Sequence, residues 1–296
     1  MDLQRTIETA ITEATGEPFG PARRGGAGGG CINDAFALSD EHRRFFVKVN
    51  DAAGAELFET EADALRELVA AEALRVPRPV AQGTHGGQYF LVLEHVDLSG
   101  RGDTAGYRRL GEGLAALHGV TAAAHGWHRD NFIGATPQPN GWHDEWIPFL
   151  RERRLRHQLR LAAERGAGRR VIDAGERLAA RLEALFPGYT PPPSLLHGDL
   201  WGGNAGFARD GAPVIYDPAT YYGDRETDLA MTELFGGFPA SFHEGYDAVW
   251  PRDPGYATRR DLYQLYHVLN HFNLFGGMYL SQSQRLIDRL LAEIGG

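Results

Sequence analysis

The apolar pattern of this chain changes period once, near residue 97, and that switch limits its fold more than any other feature. Before it, short strand-like runs dominate. AFAL at 35–38 and RFFVKV at 44–49 flank a turn at SDEHRR, and YFLVLEHV at 89–96 is a continuous apolar strand. Helical spacing appears there only at 3–15 and at AGAELFETEADALREL (53–68), where VPRP then breaks the pattern. Beyond 98 the spacing turns helical, over 104–118, 143–164, 170–186, 226–235 and 256–275. One stretch interrupts it, HGDLWGGNAGFARDGAPVIYDPA at 197–219, in which RDG between apolar runs reads as a second hairpin. The pattern predicts an α+β, bilobal chain: a small β-rich N-lobe over 1–96 and a larger helical C-lobe over 97–296.

Composition narrows the function. With 296 residues, 43% of them apolar, the chain can bury a sizeable core. Its net charge of -9 argues against a nucleic-acid partner, which normally demands a clustered basic excess. There is no run of 18 or more apolar residues for a membrane, and MDLQRTIETAITEA lacks the pattern of a signal peptide. A cytoplasmic setting is expected. The only cysteine, Cys31, excludes an intrachain disulfide and suits a reducing compartment.

GGAGGGCIND at 25–34 is followed by strand-like rather than helical sequence, and no GK[ST] is present, which disfavours both a Rossmann loop and a P-loop. A glycine flap between antiparallel strands can instead close over nucleotide phosphates, here with Gly28, Gly29 and Gly30. In RFFVKVN, residues Phe45, Val47 and Val49 share one face, so Lys48 projects to the other. On the next helix Leu57, Phe58, Leu65, Leu68 and Val69 form an apolar arc that includes Glu61. A carboxylate on that arc requires a cation, and Lys48 is the expected partner. Glu56, Glu59, Asp63 and Glu67 fall opposite and read as a solvated face.

HGDLWGGN at 197–204 and YDPA at 216–219 supply the chemistry. An Asp, an Asn five places on, and a later Asp at a strand end suit phosphoryl transfer from ATP. Asp199 would accept the acceptor hydroxyl's proton, Asn204 and Asp217 would hold Mg²⁺, and Lys48 would hold the α- and β-phosphates. His197 is expected to brace the loop. Other features read as packing: His267 and His271 lack the glutamate of HExxH, Tyr263, Tyr266, Phe272 and Phe275 recur at helical spacing, and RERRLRHQLR at 151–160 reads as a solvated face.

HGDLWGGN, DPATYYGDRETDLAM, ELFGGF, NFIGATPQPN and LYHVLNHFNLFGG together closely resemble the fructosamine kinase (ketosamine 3-kinase) family, within the protein-kinase-like, aminoglycoside-phosphotransferase-like superfamily. HGD stands where protein kinases have HRD, DPA where they have DFG, and no APE-type segment occurs. The resemblance implies a protein-kinase-like fold, ATP and Mg²⁺ as cofactors, and transfer to the 3-hydroxyl of a free or protein-bound ketosamine, whose unstable phosphate then releases the amine. It also implies an adenine-binding hinge at Glu94, His95 and Val96, and Asp228 as the anchor of the catalytic loop. Trp201 becomes the candidate flat wall for the sugar. Cys31 sits where the family often carries a cysteine, so oxidation would yield a mixed disulfide, a sulfenic acid or a bridge between two chains; a monomer or a Cys31-linked homodimer is expected. Another small-molecule kinase of this fold, or an inactive nucleotide-binding module, are the alternatives.

Overall fold

A computed structural model describes residues 2–26, 34–51, 54–98 and 102–295; Gly28, Gly29, Gly30 and Cys31 lie outside them. Helix α1 (Leu3–Thr15) starts where the Asp2 carboxylate accepts the Arg5 N–H at 2.9 Å and stops at Gly16, which adopts the left-handed conformation. Strands β1 (Arg23–Gly26), β2 (Asp34–Ser39), β3 (Arg44–Asp51), β4 (Pro79–His85) and β5 (Gln88–Glu94) form an antiparallel sheet in the order β1-β2-β3-β5-β4. Helix α2 (Ala55–Ala70) lies between β3 and β4 in sequence.

Strand periodicity decides which helix each face of the sheet receives. Phe45, Val47 and Val49 of β3, with Phe90 and Val92 of β5, pack with Ile7 and Ile11 of α1. The alternate residues Tyr89, Leu91 and Leu93 pack with Phe58, Leu65 and Leu68 of α2. Lys48 is therefore directed to the α2 side. Burying a side chain such as Leu65 contributes roughly 1.5–3 kcal/mol, and this second layer runs on into the core of the helical half through Leu114, Trp127, Phe149 and Leu196.

The helical half contains α3 (Thr104–His118), a hairpin of β6 (Asn131–Ile133) and β7 (Thr136–Gln138), α4 (Trp146–Phe149), a π-helical segment at Leu150–Leu155, α5 (Arg156–Glu164) and α6 (Arg169–Ala179). Then β8 (Ser194–Leu196) pairs with β11 (Tyr221–Gly223) around the hairpin of β9 (Ala205–Phe207) and β10 (Pro213–Ile215). Helices α7 (Glu226–Thr232), α8 (Ala240–Val249), α9 (Tyr256–Phe275) and α10 (Tyr279–Glu293) complete it.

Several expectations are corrected. The helix expected over 170–186 ends at Ala179 and is followed by a 3₁₀ turn at Leu182–Leu185. The hairpin at 131–138, α8 and α10 were not expected from the pattern, although Ser283, Leu286, Ile287 and Leu290 give α10 one buried stripe. RERRLRHQLR is not uniformly solvated: Arg154 is fully buried, bonded to the Pro139 carbonyl at 2.6 Å and lying 4.0 Å over the Tyr221 ring. Nor is the acidic side of α2 simply solvated, because Glu67 accepts hydrogen bonds from Trp127 and Tyr222, and Asp63 from Arg129. Among the described residues, no helix is long and apolar enough to cross a membrane.

Candidate active site

Lys48 and Glu61 are only 8% and 9% exposed, and such charges persist in a protein interior only when paired. The Lys48 ammonium donates to Glu61 Oε1 at 2.6 Å and to Asp217 Oδ1 at 2.7 Å. Burial works to lower its pKa, but the two carboxylates more than offset this and hold it above the usual lysine range. Burial pushes the Glu61 carboxyl up while Lys48 pulls it down. Three residues from β3, α2 and the segment after β10 thus meet at one ammonium.

The loop that carries Asp199 leaves β8 at His197. Asp228, at the start of α7 and fully buried, accepts the backbone N–H of His197 at 2.7 Å and of Gly198 at 2.8 Å, and bonds His118 Nε2 at 3.2 Å. Burial alone would raise its pKa, yet the hydrogen bond with His118 and that from the Gly198 N–H help hold it below the ordinary aspartate range. Gly198 has φ +86°, and a β-carbon there would run into the Ala219 carbonyl, so the loop requires glycine. His197 Nδ1 accepts the Asp199 N–H at 3.2 Å, which makes Nε2 the donor to the Tyr216 carbonyl at 3.0 Å. Burial keeps this imidazole neutral, as a brace.

Asp199 follows, partly buried. The Asn204 amide nitrogen donates to its Oδ2 at 3.1 Å and to its carbonyl at 2.9 Å. Burial is the main reason that its pKa is pushed up to about 7, with Asp217 and Asp228 adding to the rise and Asn204 opposing it. A carboxyl poised near neutrality suits the acceptance of a proton. Asp217 has φ +55°, a conformation uncommon outside glycine, and its side chain remains 47% exposed. The Ala219 N–H to His197 carbonyl bond at 2.8 Å and the Tyr216 N–H to Asn204 carbonyl bond at 3.0 Å hold the turn from both sides.

These residues fit a small hard cation. Because the Asn204 nitrogen is committed to Asp199 and Asp217, the amide presents its oxygen, and Asp217 adds a carboxylate. Among the described residues no cluster of three or more His, Cys, Asp or Glu could cage a metal. One carboxylate and one amide oxygen are a donor set that fits Mg²⁺, which commonly takes one or two protein ligands together with phosphate oxygens.

Glu94 is the last residue of β5, and His95 and Val96 follow it, Glu94 bonding Arg75 at 3.2 Å and His95 lying 3.5 Å from Asp97. Trp201 is 38% exposed and meets Phe235 edge-on at 6.2 Å. Phe235 lies 4.4 Å from the His271 ring, which in turn contacts Phe275 and Tyr279. The structure thus groups residues around Trp201 and His271 that sequence spacing did not connect, Phe235 and Tyr279 among them. His271 Nδ1 donates to the His267 carbonyl at 2.8 Å, and burial pushes the His267 pKa down to about 3, leaving its ring neutral.

The antiparallel sheet set against a helical half is the protein-kinase-like fold. An aminoglycoside phosphotransferase solved with AMP-PNP and hygromycin B shares this fold at 15% identity, with a TM-score of 0.58 over 97% of this chain and 98% of its own. The fructosamine kinase family model matches residues 3–293, and the chain belongs to that family. It is 48% identical, over 97% of this chain and 96% of the relative, to a Synechocystis sp. protein named a probable ketoamine kinase. It is 42% identical to a chloroplastic protein-ribulosamine 3-kinase of Arabidopsis thaliana, over 90% of this chain and 82% of that one. A solved structure from Haemophilus somnus, carrying a provisional fructosamine-3-kinase name, superposes with a TM-score of 0.87 at 31% identity and 96% coverage of both chains. The chain is accordingly an enzyme that phosphorylates an alcohol group.

Proposed function

We propose that this enzyme uses Mg·ATP to phosphorylate the 3-hydroxyl of ketosamines, and that the resulting 3-phosphate breaks down to release the amine, so that the cellular outcome is deglycation. The observation that carries the reading is the convergence of Lys48, Glu61, Asp217, Asn204 and Asp199 in one connected group, in a chain of the fructosamine kinase family. Lys48, oriented by Glu61, holds the α- and β-phosphates, while Gly28, Gly29 and Gly30 cover them and the Glu94–Val96 backbone receives adenine. Asp199 takes the proton of the 3-hydroxyl as that oxygen bonds to the γ-phosphorus and the bond to the ADP oxygen breaks. Mg²⁺, held by Asn204 and Asp217, would neutralise the charge that builds on the transferred group.

Trp201, with Phe235 and His271 beside it, forms the wall against the sugar. Ketosamines made from pentoses or tetroses are the preferred substrates in this reading, and the name of the Arabidopsis relative favours the pentose arm. The enzyme works in a reducing, cytoplasmic setting. There Cys31 is our candidate point of reversible oxidation, one that non-reducing electrophoresis after mild peroxide would reveal as a dimer absent from Cys31→Ala. Incubation with Mg·ATP and a panel of ribulosamines, erythrulosamines, fructosamines, aminoglycosides and simple alcohols tests the substrate class: phosphate is expected on the ketosamines. Transfer to aminoglycosides alone would overturn it.

A further inference from the structure

Between α3 and α4 the chain makes an excursion that touches both halves of the site. On one side fully buried Trp127 donates its indole N–H to Glu67 of α2, and Arg129 reaches Asp63 at 3.1 Å and Glu59 at 3.7 Å, one and two turns earlier on the same helix. On the other side Gly126 exchanges two backbone hydrogen bonds with Tyr222, each 2.8 Å, Asn131 donates to the Thr220 carbonyl at 2.8 Å, and Gln138 to the Ala219 carbonyl at 3.1 Å. Ala219, Thr220 and Tyr222 closely follow Asp217 in the chain. Tyr222 closes the circuit, its hydroxyl donating to Glu67 at 2.7 Å. Burial, reinforced by that carboxylate, raises the pKa of the hydroxyl and keeps it a donor. The excursion is itself braced from behind: Tyr266 of α9 donates to Gln138 Oε1 at 2.6 Å, and Arg154 to Asn140 Oδ1 at 2.7 Å.

Glu61 and Glu67 ride on one helix, so a shift of α2 large enough to part Glu67 from Tyr222 also disturbs the 2.6 Å Lys48–Glu61 pair. We propose that residues 126–140 act as a clamp and that Glu67 is its central positioning residue. Through Trp127 and Tyr222 it fixes α2 against the segment carrying Asp217, and so sets the Lys48–Glu61–Asp217 geometry before nucleotide arrives. A helix that could otherwise pivot is held in its working position by the helical half. The proposal rests on the reading of that geometry as the Mg·ATP site.

Tyr222→Phe removes one hydroxyl, and Glu67→Gln turns one of the two acceptor oxygens, which Trp127 and Tyr222 use separately, into an NH₂ donor. In ligand-free protein, amide hydrogen exchange over residues 55–70 is expected to quicken about tenfold in either variant. KM for ATP is expected to rise about tenfold, the scale of one hydrogen bond to a carboxylate, with KM for the acceptor unchanged. In a Glu61→Gln background the same Tyr222→Phe change is expected to add less than about twofold, since both act through one pair. A purely structural role would lower melting temperature and leave the two effects additive. Additivity, or unchanged exchange in α2, would overturn the clamp. If Tyr222→Phe does not fold, Glu67→Gln gives the same readings. Were wild type to bind no Mg·ATP, the nucleotide assignment would fall, while faster exchange in α2 would still support the clamp.

Discussion

Asp199 concentrates the account at a single carboxyl. Asp199→Asn is expected to reduce turnover at least about 10²-fold while Mg·ADP binding, followed by calorimetry, stays close to wild type, because the role proposed for this group is toward the acceptor. The same substitution has a stability signature. Folding raises this carboxyl's pKa from 3.8 to about 7, so the folded state holds its proton more tightly than the unfolded chain does. That contribution is full below the unfolded value and is lost as pH rises through about 7, where an ionised and partly buried carboxylate remains. Asp199→Asn is therefore expected to melt above wild type at about pH 8, with the advantage gone by about pH 4; equal melting temperatures at both would contradict the assigned environment. Among residues, Lys48 and Glu61 were legible because strand and helix periodicities separately aimed them at each other. Glu67 was not. A helical wheel shows that it is off the apolar arc, but not that a distant Trp127 and Tyr222 would turn that side into an interface.

At the scale of elements, α7 holds the loop that carries Asp199 through its Asp228 carboxylate. Asp228 presents two oxygens to two backbone N–H groups and His118, and an amide offers only one acceptor. Asp228→Asn is expected to cost about 3–5 kcal/mol, the scale for breaking a buried charged network, and to lower kcat with it. Urea unfolding measures the first and steady-state kinetics the second; wild-type values in both would remove the anchor role. The long amphipathic helices α1, α3 and α9 were readable because each repeats its apolar spacing over three or more turns. Three-residue strands such as β6 and β7 carry no period to read, and their polar residues Asn131 and Gln138 are explained by distant partners, the carbonyls of residues 219 and 220 and, for Gln138, the Tyr266 hydroxyl. Arg154 escaped for a related reason, since aromatic faces and a proline carbonyl from other elements make its burial tolerable.

For the whole molecule, the change of period near residue 97 foretold an antiparallel sheet followed by helices, because local spacing reports local structure. It did not foretell that α2 and the inner face of the sheet would share one apolar core with the helical half, since packing between distant segments leaves no periodic trace. Lys48, Glu61 and Asp217, from distant parts of the chain, form one connected group. The central claim is that this assembly directs phosphate to one hydroxyl of a ketosamine. Phosphorus NMR of a ribulosamine incubated with enzyme and Mg·ATP tests it most directly. A phosphomonoester signal coupled to the proton on carbon 3 is expected, decaying to inorganic phosphate as free amine appears, and absent with Asp199→Asn. Release of inorganic phosphate from ATP with no phosphomonoester, or an ester coupled to a different carbon, would contradict it.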